Sequence, residues 1–331
     1  MTVCPSPMKA IVFAKYGSPD LLQLAEVAKP TPKDDEVLVA VHASSINSWD
    51  WEFQSGTSFI NRLLFGLFKP KSGKQILGAD IAGTVEAVGN GVTRFQPGDA
   101  VFGDLWANWG GFAEYACAPE SALELKPANA TFAEAAAVPQ AGVLALQGLR
   151  AYGAVQPGQK VLINGAGGGV GTFAVQLAKL AGAEVTGVDI THKLDVVRSV
   201  GADHVIDYTR EDFTRNGEQY DLIVDVHGHR SMFDYKHALS PDGGYAMVGG
   251  AVPRIFQALI LGLWGSMTGG QKFRLVAEGP NKGLADLKEL METGKIVAVI
   301  HRTYALSEVP EALHYFVAGR HTGKIVIAIK D

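Results

Sequence analysis

Between Val161 and Asp189 the chain reads VLINGAGGGVGTFAVQLAKLAGAEVTGVD, and no other stretch restricts the fold as much. Val161, Leu162 and Ile163 form a short apolar run, which suits a strand buried in a parallel sheet. A glycine-dense turn follows, from Gly165 to Gly171. Phe173, Ala174, Val175, Leu177, Ala178, Leu180 and Ala181 then make an apolar stripe at helical spacing. Glu184 to Val188 reads as a second strand, closed by Asp189. Strand, tight turn, helix, strand and acid are the outline of a dinucleotide-binding βαβ unit. Gly168 and Gly171 have the spacing of the last two fingerprint glycines, with Ala166 where the first usually sits. Gly168 lets the backbone approach a pyrophosphate, and Gly171 lets helix and strand pack closely. The first-turn N–H groups, with Gly169 and Val170 among them, then face the phosphate oxygens. The alternative is a glycine-rich turn with a purely structural task.

A chain of 331 residues is long for one core and suits two domains. Its 47% apolar and 19% charged residues exclude disorder. A formal charge of -5, with no basic stripe, argues against nucleic acid as a partner. Cys4 and Cys117 are the only cysteines, so there is no disulfide framework and no four-cysteine zinc site, and a reducing, cytoplasmic setting is expected. The opening MTVCPSPMKAIVF lacks the succession of a secretory signal. The longest mostly apolar stretch, Ile255 to Trp264, is too short to span a bilayer, so no membrane partner is expected.

The first 125 residues or so alternate short strands with glycine and proline punctuation, as in Met8 to Phe13, Glu36 to Ser44, Ile81 to Val88 and Phe112 to Cys117. That pattern predicts a compact, barrel-like β domain. The insert Trp51 to Gln75 breaks the rhythm with Phe53, Phe59, Leu63, Leu64, Phe65, Leu67 and Phe68. It reads either as a cover over the barrel edge or as a wall for an apolar substrate. From Thr131 the character changes. Thr131 and Glu134 have capping-box spacing, Pro139 interrupts, and Val143 to Val155 is periodic. Beyond Asp189, helices over Lys193–Val200 and Met232–Leu239 alternate with strands at 205–207, 221–226 and 245–248. This alternation predicts a parallel sheet covered on both faces. Phe273 to Ala277 reads as one more strand, 297–300 as strand-like, and Lys324 to Ile329 as a strong strand. Periodicity does not decide which domain the last 50 residues join.

With these landmarks in place, the sequence resembles the medium-chain dehydrogenase/reductase superfamily, in its zinc-free quinone oxidoreductase and enoyl reductase-like branch. The markers are Gly78-Ala79-Asp80-Ile81-Ala82-Gly83, Gly98-Asp99-Ala100-Val101, Gly110-Gly111-Phe112-Ala113-Glu114-Tyr115, Gly169-Val170-Gly171, Val200-Gly201-Ala202-Asp203 and Gly323-Lys324-Ile325-Val326. They cover essentially the whole chain. The resemblance implies an α/β plus β fold: a GroES-like catalytic domain over 1–125, a doubly wound Rossmann domain over 126–278, and a return to the catalytic domain over 279–331. It implies a cleft between the domains as active site, and a homodimer formed through sheet edges.

At the places where zinc-dependent relatives hold their catalytic ion, this chain has Asn47, Ala79 and Ala141, and alanine ligates nothing. His227 and His229 look like a metal pair but lack a third ligand, and are read as structural or close to the cofactor. Without a Lewis acid, alcohol oxidation loses its means of stabilising an alkoxide. Reduction of a quinone or a conjugated C=C asks less of the protein. The resemblance places Asn47 and Asp50 beside the nicotinamide, and keeps an acid at Asp80; these three are the catalytic candidates, with Tyr152 and Gln147 behind them. Trp49, Phe53 and Trp106 are core residues or the walls of a flat pocket. Gly168, Gly169, Val170, Gly171, Asp189, Thr191, His192, Lys193, Val248 and Gly249 are expected at the cofactor. Asp189 favours NADH over NADPH by repelling a 2′-phosphate, whereas the branch usually takes NADPH and Lys193 lies close by. The expected activity is zinc-independent, NAD(P)H-dependent reduction of a small-molecule quinone, enone or enal. A zinc-free alcohol or aldehyde oxidoreductase and a non-catalytic nucleotide-binding redox sensor are the alternatives.

Overall fold

Alternation in the first part of the chain becomes antiparallel pairing. The computed structural model describes residues 7–58, 62–63, 66–71, 75–249, 257, 270–276 and 279–330. They divide into two compact units. One comprises Met1–Gln140, Pro280–Glu292 and Ala298–Asp331; the other comprises Ala141–Gly279 and Thr293–Val297. Residues 126–140 thus go with the first unit.

In the first unit β1 (Pro7–Val12) and β2 (Gln23–Ala28) form an antiparallel ribbon. β3 (Glu36–Ser45) is the centre of the larger sheet: it pairs antiparallel with β4 (Asp80–Val88) and with β6 (Tyr115–Pro119). β4 continues to β5 (Ala100–Asp104), and β5 to the two-residue β7 (Glu124–Leu125). Val37, Val39 and Val41 share one face of β3, because side chains two apart point the same way, and they are buried with Ile81, Val85, Val101 and Ala116. Helix α1 (Ser48–Ser55) leaves the end of β3 after Asn47 and stops at Gly56, whose φ of 59° and contact with the Tyr16 ring exclude a side chain. Within the 51–75 insert Phe53 belongs to the core while Leu63, Leu67 and Phe68 are exposed; Phe59, Leu64 and Phe65 lie outside the described residues.

Helix α2 (Phe132–Ala136) has the expected capping box: the Glu134 N–H donates to Thr131 Oγ1 at 3.2 Å, and the Thr131 N–H donates to Glu134 Oε2 at 2.8 Å. The helix breaks after Ala136, ahead of Pro139 as expected, and Pro139 itself opens helix α3 (Pro139–Leu149). Its missing N–H costs nothing at a position where no intrahelical acceptor exists.

The second unit follows the alternation. β8 (Lys160–Asn164), α4 (Gly169–Leu180), β9 (Glu184–Asp189), α5 (Leu194–Ser199) and β10 (His204–Asp207) are followed by β11 (Tyr220–Asp225), α6 (Met232–Ala238), β12 (Leu239–Met247) and β13 (Lys272–Leu275). The six strands are parallel, in the order β10-β9-β8-β11-β12-β13. The order reverses between β8 and β11, which is the doubly wound arrangement. Ala277 and all of 255–264 except Gln257 lie outside the described residues.

Helix α7 (Leu284–Glu292) and helix α8 (Val309–Val317) frame the last strands. The expected strand at 297–300 is displaced. β14 runs over Ile300–Ala305, where only Tyr304 is buried and His301, Arg302 and Thr303 face solvent. It is an edge strand, so it lacks the apolar run that marks a central one. β15 (Lys324–Ala328) pairs with β14 and, antiparallel, with β3, so the seven-stranded sheet runs β14-β15-β3-β4-β5-β7 with β6 on β3. The chain is an antiparallel β domain joined to a doubly wound, Rossmann-like parallel-sheet domain.

Candidate functional site

The first site lies at the carboxyl ends of β8 and β9. Gly165 has φ 85°, and a Cβ on Gly171 would stand 2.1 Å from the Gly165 carbonyl oxygen. Glycine at 171 is therefore what lets α4 start against the end of β8. Gly168 is different: a Cβ there would meet only the Gly165 oxygen, at 3.5 Å. Gly168, Gly169 and Val170 are partly exposed, at the N-terminus of a 12-residue helix whose first N–H groups have no intrahelical acceptor. An accessible cradle that a side chain at Gly168 would fill fits the pyrophosphate of a dinucleotide.

Asp189 faces this turn. Its Oδ2 accepts from the Gly167 N–H at 2.8 Å and its Oδ1 from the Ile190 N–H at 2.8 Å. Gly167, missed in the sequence, is the closest point of the turn to the acid, and a Cβ on it would lie 2.7 Å from Lys193 Cβ and 3.2 Å from Lys193 Cδ. The Lys193 stem therefore runs alongside the turn. Lys193 is 5% exposed, its ammonium has no hydrogen-bond partner among the described residues, and burial pulls its pKa below the usual value, opposed by Asp189. Thr191 and His192 are exposed, the Thr191 hydroxyl donating to Asp207 Oδ2. Val248 and Gly249 follow β12, at the same strand ends, and the Val248 N–H donates to the Asp225 carbonyl at 2.8 Å. Asp225, also missed, is a fully buried hub here: its oxygens accept from Asn164 Nδ2, the His227 and Gly228 N–H groups and the Tyr245 hydroxyl.

The second site is a polar knot in the β unit, and it unites all three catalytic candidates. Asp80, at the start of β4, is fully buried; its Oδ2 accepts from Ser45 Oγ at 3.0 Å and from Asn47 Nδ2 at 2.9 Å, and its Oδ1 accepts from the Gln140 N–H at 3.0 Å. Asp50, also fully buried, accepts from the Asn47 N–H at 2.8 Å and the Gly78 N–H at 2.9 Å. Burial pushes the Asp50 carboxyl up to about 7, against the pull of those two N–H groups and with the help of the Asp80 charge. Lys324 of β15 completes the knot, donating to Asn47 Oδ1 at 2.5 Å and to the Ile46 carbonyl at 3.1 Å. Asn47, at 6% exposure, is the only one of the three candidates with any surface. The Gly323-Lys324-Ile325-Val326 marker held Lys324 in view, but nothing local tied it to Asn47.

The other candidates take structural places. Trp49, Phe53, Trp106 and Trp109 cluster as one aromatic group, with Trp49 and Trp106 meeting edge to face at 4.9 Å between ring centres; Phe53 and Trp109 are buried, and Trp49 and Trp106 only partly. In the Rossmann unit the Tyr152 hydroxyl donates to the Tyr245 carbonyl at 2.8 Å, and Gln147 Nε2 to the Gly279 carbonyl at 2.9 Å. The His227 and His229 rings lie 5.8 Å apart; a Cβ on Gly165 would touch the His227 ring at 2.9 Å. Among the described residues no three His, Cys, Asp or Glu side chains gather as a metal site, and no helix is long and apolar enough to cross a membrane.

Two family models match the chain: an alcohol dehydrogenase GroES-like domain over residues 33–148, and a zinc-binding dehydrogenase over residues 200–327. A 2-methylene-furan-3-one reductase of Solanum lycopersicum is 34% identical over 98% of this chain and 79% of its own length. A chloroplastic quinone-oxidoreductase homolog of Spinacia oleracea is 33% identical over 97% of this chain and 98% of its own. The solved quinone oxidoreductase from Coxiella burnetii superposes with a TM-score of 0.86 at 28% identity, over 98% of this chain and 100% of that one.

Proposed function

The chain belongs to the medium-chain dehydrogenase/reductase superfamily, in its zinc-free quinone oxidoreductase and enoyl reductase-like branch, and on that premise we propose that Asn47 is its substrate-facing donor. It is an NAD(P)H-dependent oxidoreductase acting on quinones or conjugated enones and enals by hydride transfer. When bound, the nicotinamide cofactor supplies the hydride. The β8–α4 turn holds its pyrophosphate through Gly168, Gly169, Val170 and Gly171, with Val248 and Gly249 at the end of β12, along the same row of strand ends.

The carrying observation is the state of the Asn47 amide. Its carbonyl oxygen accepts from Lys324 and one amide hydrogen goes to Asp80, which leaves one hydrogen unused among the described residues on the knot's least buried candidate. Reduction of a quinone or an enone builds negative charge on an oxygen, and a fixed N–H donor stabilises it. Asp80 and Asp50 hold Asn47 in place from both ends. Asp50, with its pKa raised to about 7, can keep a proton near neutrality, and solvent delivers the proton that completes reduction.

For the cofactor we read NADPH as the better fit. Both Asp189 oxygens already accept from backbone N–H groups, while the Lys193 ammonium beside the same turn makes no hydrogen bond among the described residues. A 2′-phosphate meets that ammonium with opposite charge, where the two ribose hydroxyls of NADH offer only neutral acceptors. The sheet edge at β13 suits a homodimer, and the two-cysteine composition suits the cytoplasm. The deciding experiment follows oxidation of NADPH and NADH with quinones, 2-alkenals and cyclic enones, with and without chelator. Turnover that survives chelation is expected; loss of activity on chelation, or no turnover at all, removes the reading.

A further inference from the structure

Lys324 reaches the knot from 277 residues further along the chain than Asn47, and no property of the branch invoked so far gives it a task. Its Nζ donates to Asn47 Oδ1 at 2.5 Å and to the Ile46 carbonyl at 3.1 Å, and lies 3.5 Å from Asp80 Oδ2. The same Asp80 oxygen accepts from Asn47 Nδ2 at 2.9 Å. The Asn47 amide is thus clamped between a cation and a carboxylate, both buried, with side-chain exposures of 4% and 0%.

Such a clamp admits one orientation. Turned over, the amide would set its NH2 against the ammonium and its carbonyl oxygen against the carboxylate, two repulsive contacts in a site shielded from water. With the ammonium in place, Oδ1 is turned to Lys324 and the Nδ2 hydrogen that Asp80 does not take keeps one direction, so what Asn47 presents there is a donor. The ammonium also polarises the amide through Oδ1, which strengthens the remaining N–H as a donor. Remove the cation and the amide is free to turn, while Asp80 stays buried without its counter-charge.

We propose that Lys324 is a positioning residue for the reduction: it locks the Asn47 amide so that N–H faces the substrate oxygen and strengthens that donor. The site thereby selects substrates that present an acceptor oxygen, and disfavours hydroxyl donors. This rests on Asn47 being the donor to substrate. The charged groups facing the ammonium are Asp80 on β4, Asp50 on α1 and Asp104 on β5, and they oppose the loss of its proton that burial favours.

The test compares steady-state kinetics of wild type, Lys324→Met, Lys324→Arg, Asn47→Ala and the Lys324→Met/Asn47→Ala double variant, with NADPH and one accepted quinone or enone. In Lys324→Met kcat falls about 10²-fold, the size of a lost oxyanion donor, while the KM for NADPH stays within about twofold. The double variant is no slower than Asn47→Ala, because both changes remove one function. Lys324→Arg, which keeps a cation, recovers at least about tenfold of the loss. If Lys324→Met does not fold, Lys324→Gln, uncharged and hydrogen-bonding, is read in its place with the same expectation. Losses that multiply in the double variant, or a charge-removing variant as fast as wild type, overturn the role of Lys324 alone. Full turnover in Asn47→Ala overturns the role of Asn47 as well.

Discussion

Asp50 is a carboxylic acid with no exposed surface, hydrogen-bonded among the described residues to the Asn47 and Gly78 backbone N–H groups. Its pKa of about 7 lies well above an unfolded aspartate's, so from ordinary carboxylate pH to near neutrality the folded chain holds a proton that the unfolded chain has released. Stability therefore falls as pH rises through that window. Urea unfolding from about pH 5 to about pH 8 should show wild type losing stability of the order of a few kcal/mol relative to Asp50→Asn, which has nothing to titrate. Parallel pH profiles would show that Asp50 does not hold the proton. Lys193 has a residue-scale test of its own. Lys193→Ala should lower kcat/KM for NADPH about tenfold or more while leaving NADH nearly unchanged, since only the former has a phosphate to lose. An equal loss with both cofactors would make Lys193 structural. Asp80 was a candidate in the sequence because it sits in the Gly78–Gly83 marker, and Asn47 and Asp50 because the family resemblance places them beside the nicotinamide. Lys324 and Gly167 were not legible as partners: the first acts across 277 residues, and the second became meaningful only once Asp189 was seen to fold back onto its N–H.

At the scale of elements, the glycines at the start of α4 separate two tasks that a motif runs together. A Cβ at Gly171 would collide with backbone at 2.1 Å, whereas a Cβ at Gly168 makes only ordinary contact with the Gly165 oxygen at 3.5 Å, at a φ of -87° that any residue adopts. Gly171→Ala is therefore expected to destabilise the Rossmann unit by about 2 kcal/mol or more through forced backbone movement. Gly168→Ala should keep the melting temperature of the wild type and raise the NADPH KM about tenfold or more, because the methyl group occupies the pyrophosphate's approach. Comparing thermal melts with cofactor titrations decides the matter: a Gly168→Ala enzyme that binds NADPH normally would deny the turn its role. Central strands such as β8 and β11 showed themselves as unbroken apolar runs because they are covered on both faces. β14 was misplaced because an edge strand with His301, Arg302 and Thr303 in solvent has no such run, and its partner β15 lies 24 residues away at the Ile300–Lys324 pair. At Pro139 the break was legible and the start of the next helix was not, since a proline at the first turn of a helix looks the same in sequence as one that ends a helix.

For the whole molecule the open question is association. The six-stranded sheet ends at β13, which pairs with β12 on one side and with no strand among the described residues on the other. An edge strand in this position presents a row of N–H and C=O groups that can template pairing with another chain. Lys272 is exposed on it while Phe273 packs inward with Tyr245, so the strand is held in the sheet by its apolar face and leaves its edge available. In the proposed homodimer a twofold axis at this edge would bring β13 of two copies together antiparallel and join their sheets into one, and the symmetry would close the assembly at two. Sedimentation equilibrium at micromolar protein should then give twice the subunit mass. Hydrogen exchange should show β13 amides protected at that concentration and exchanging faster on dilution to the monomer, with β8 amides unchanged. A subunit mass at micromolar protein, or β13 amides whose protection ignores dilution, would leave this edge to some other cover and take the dimer away.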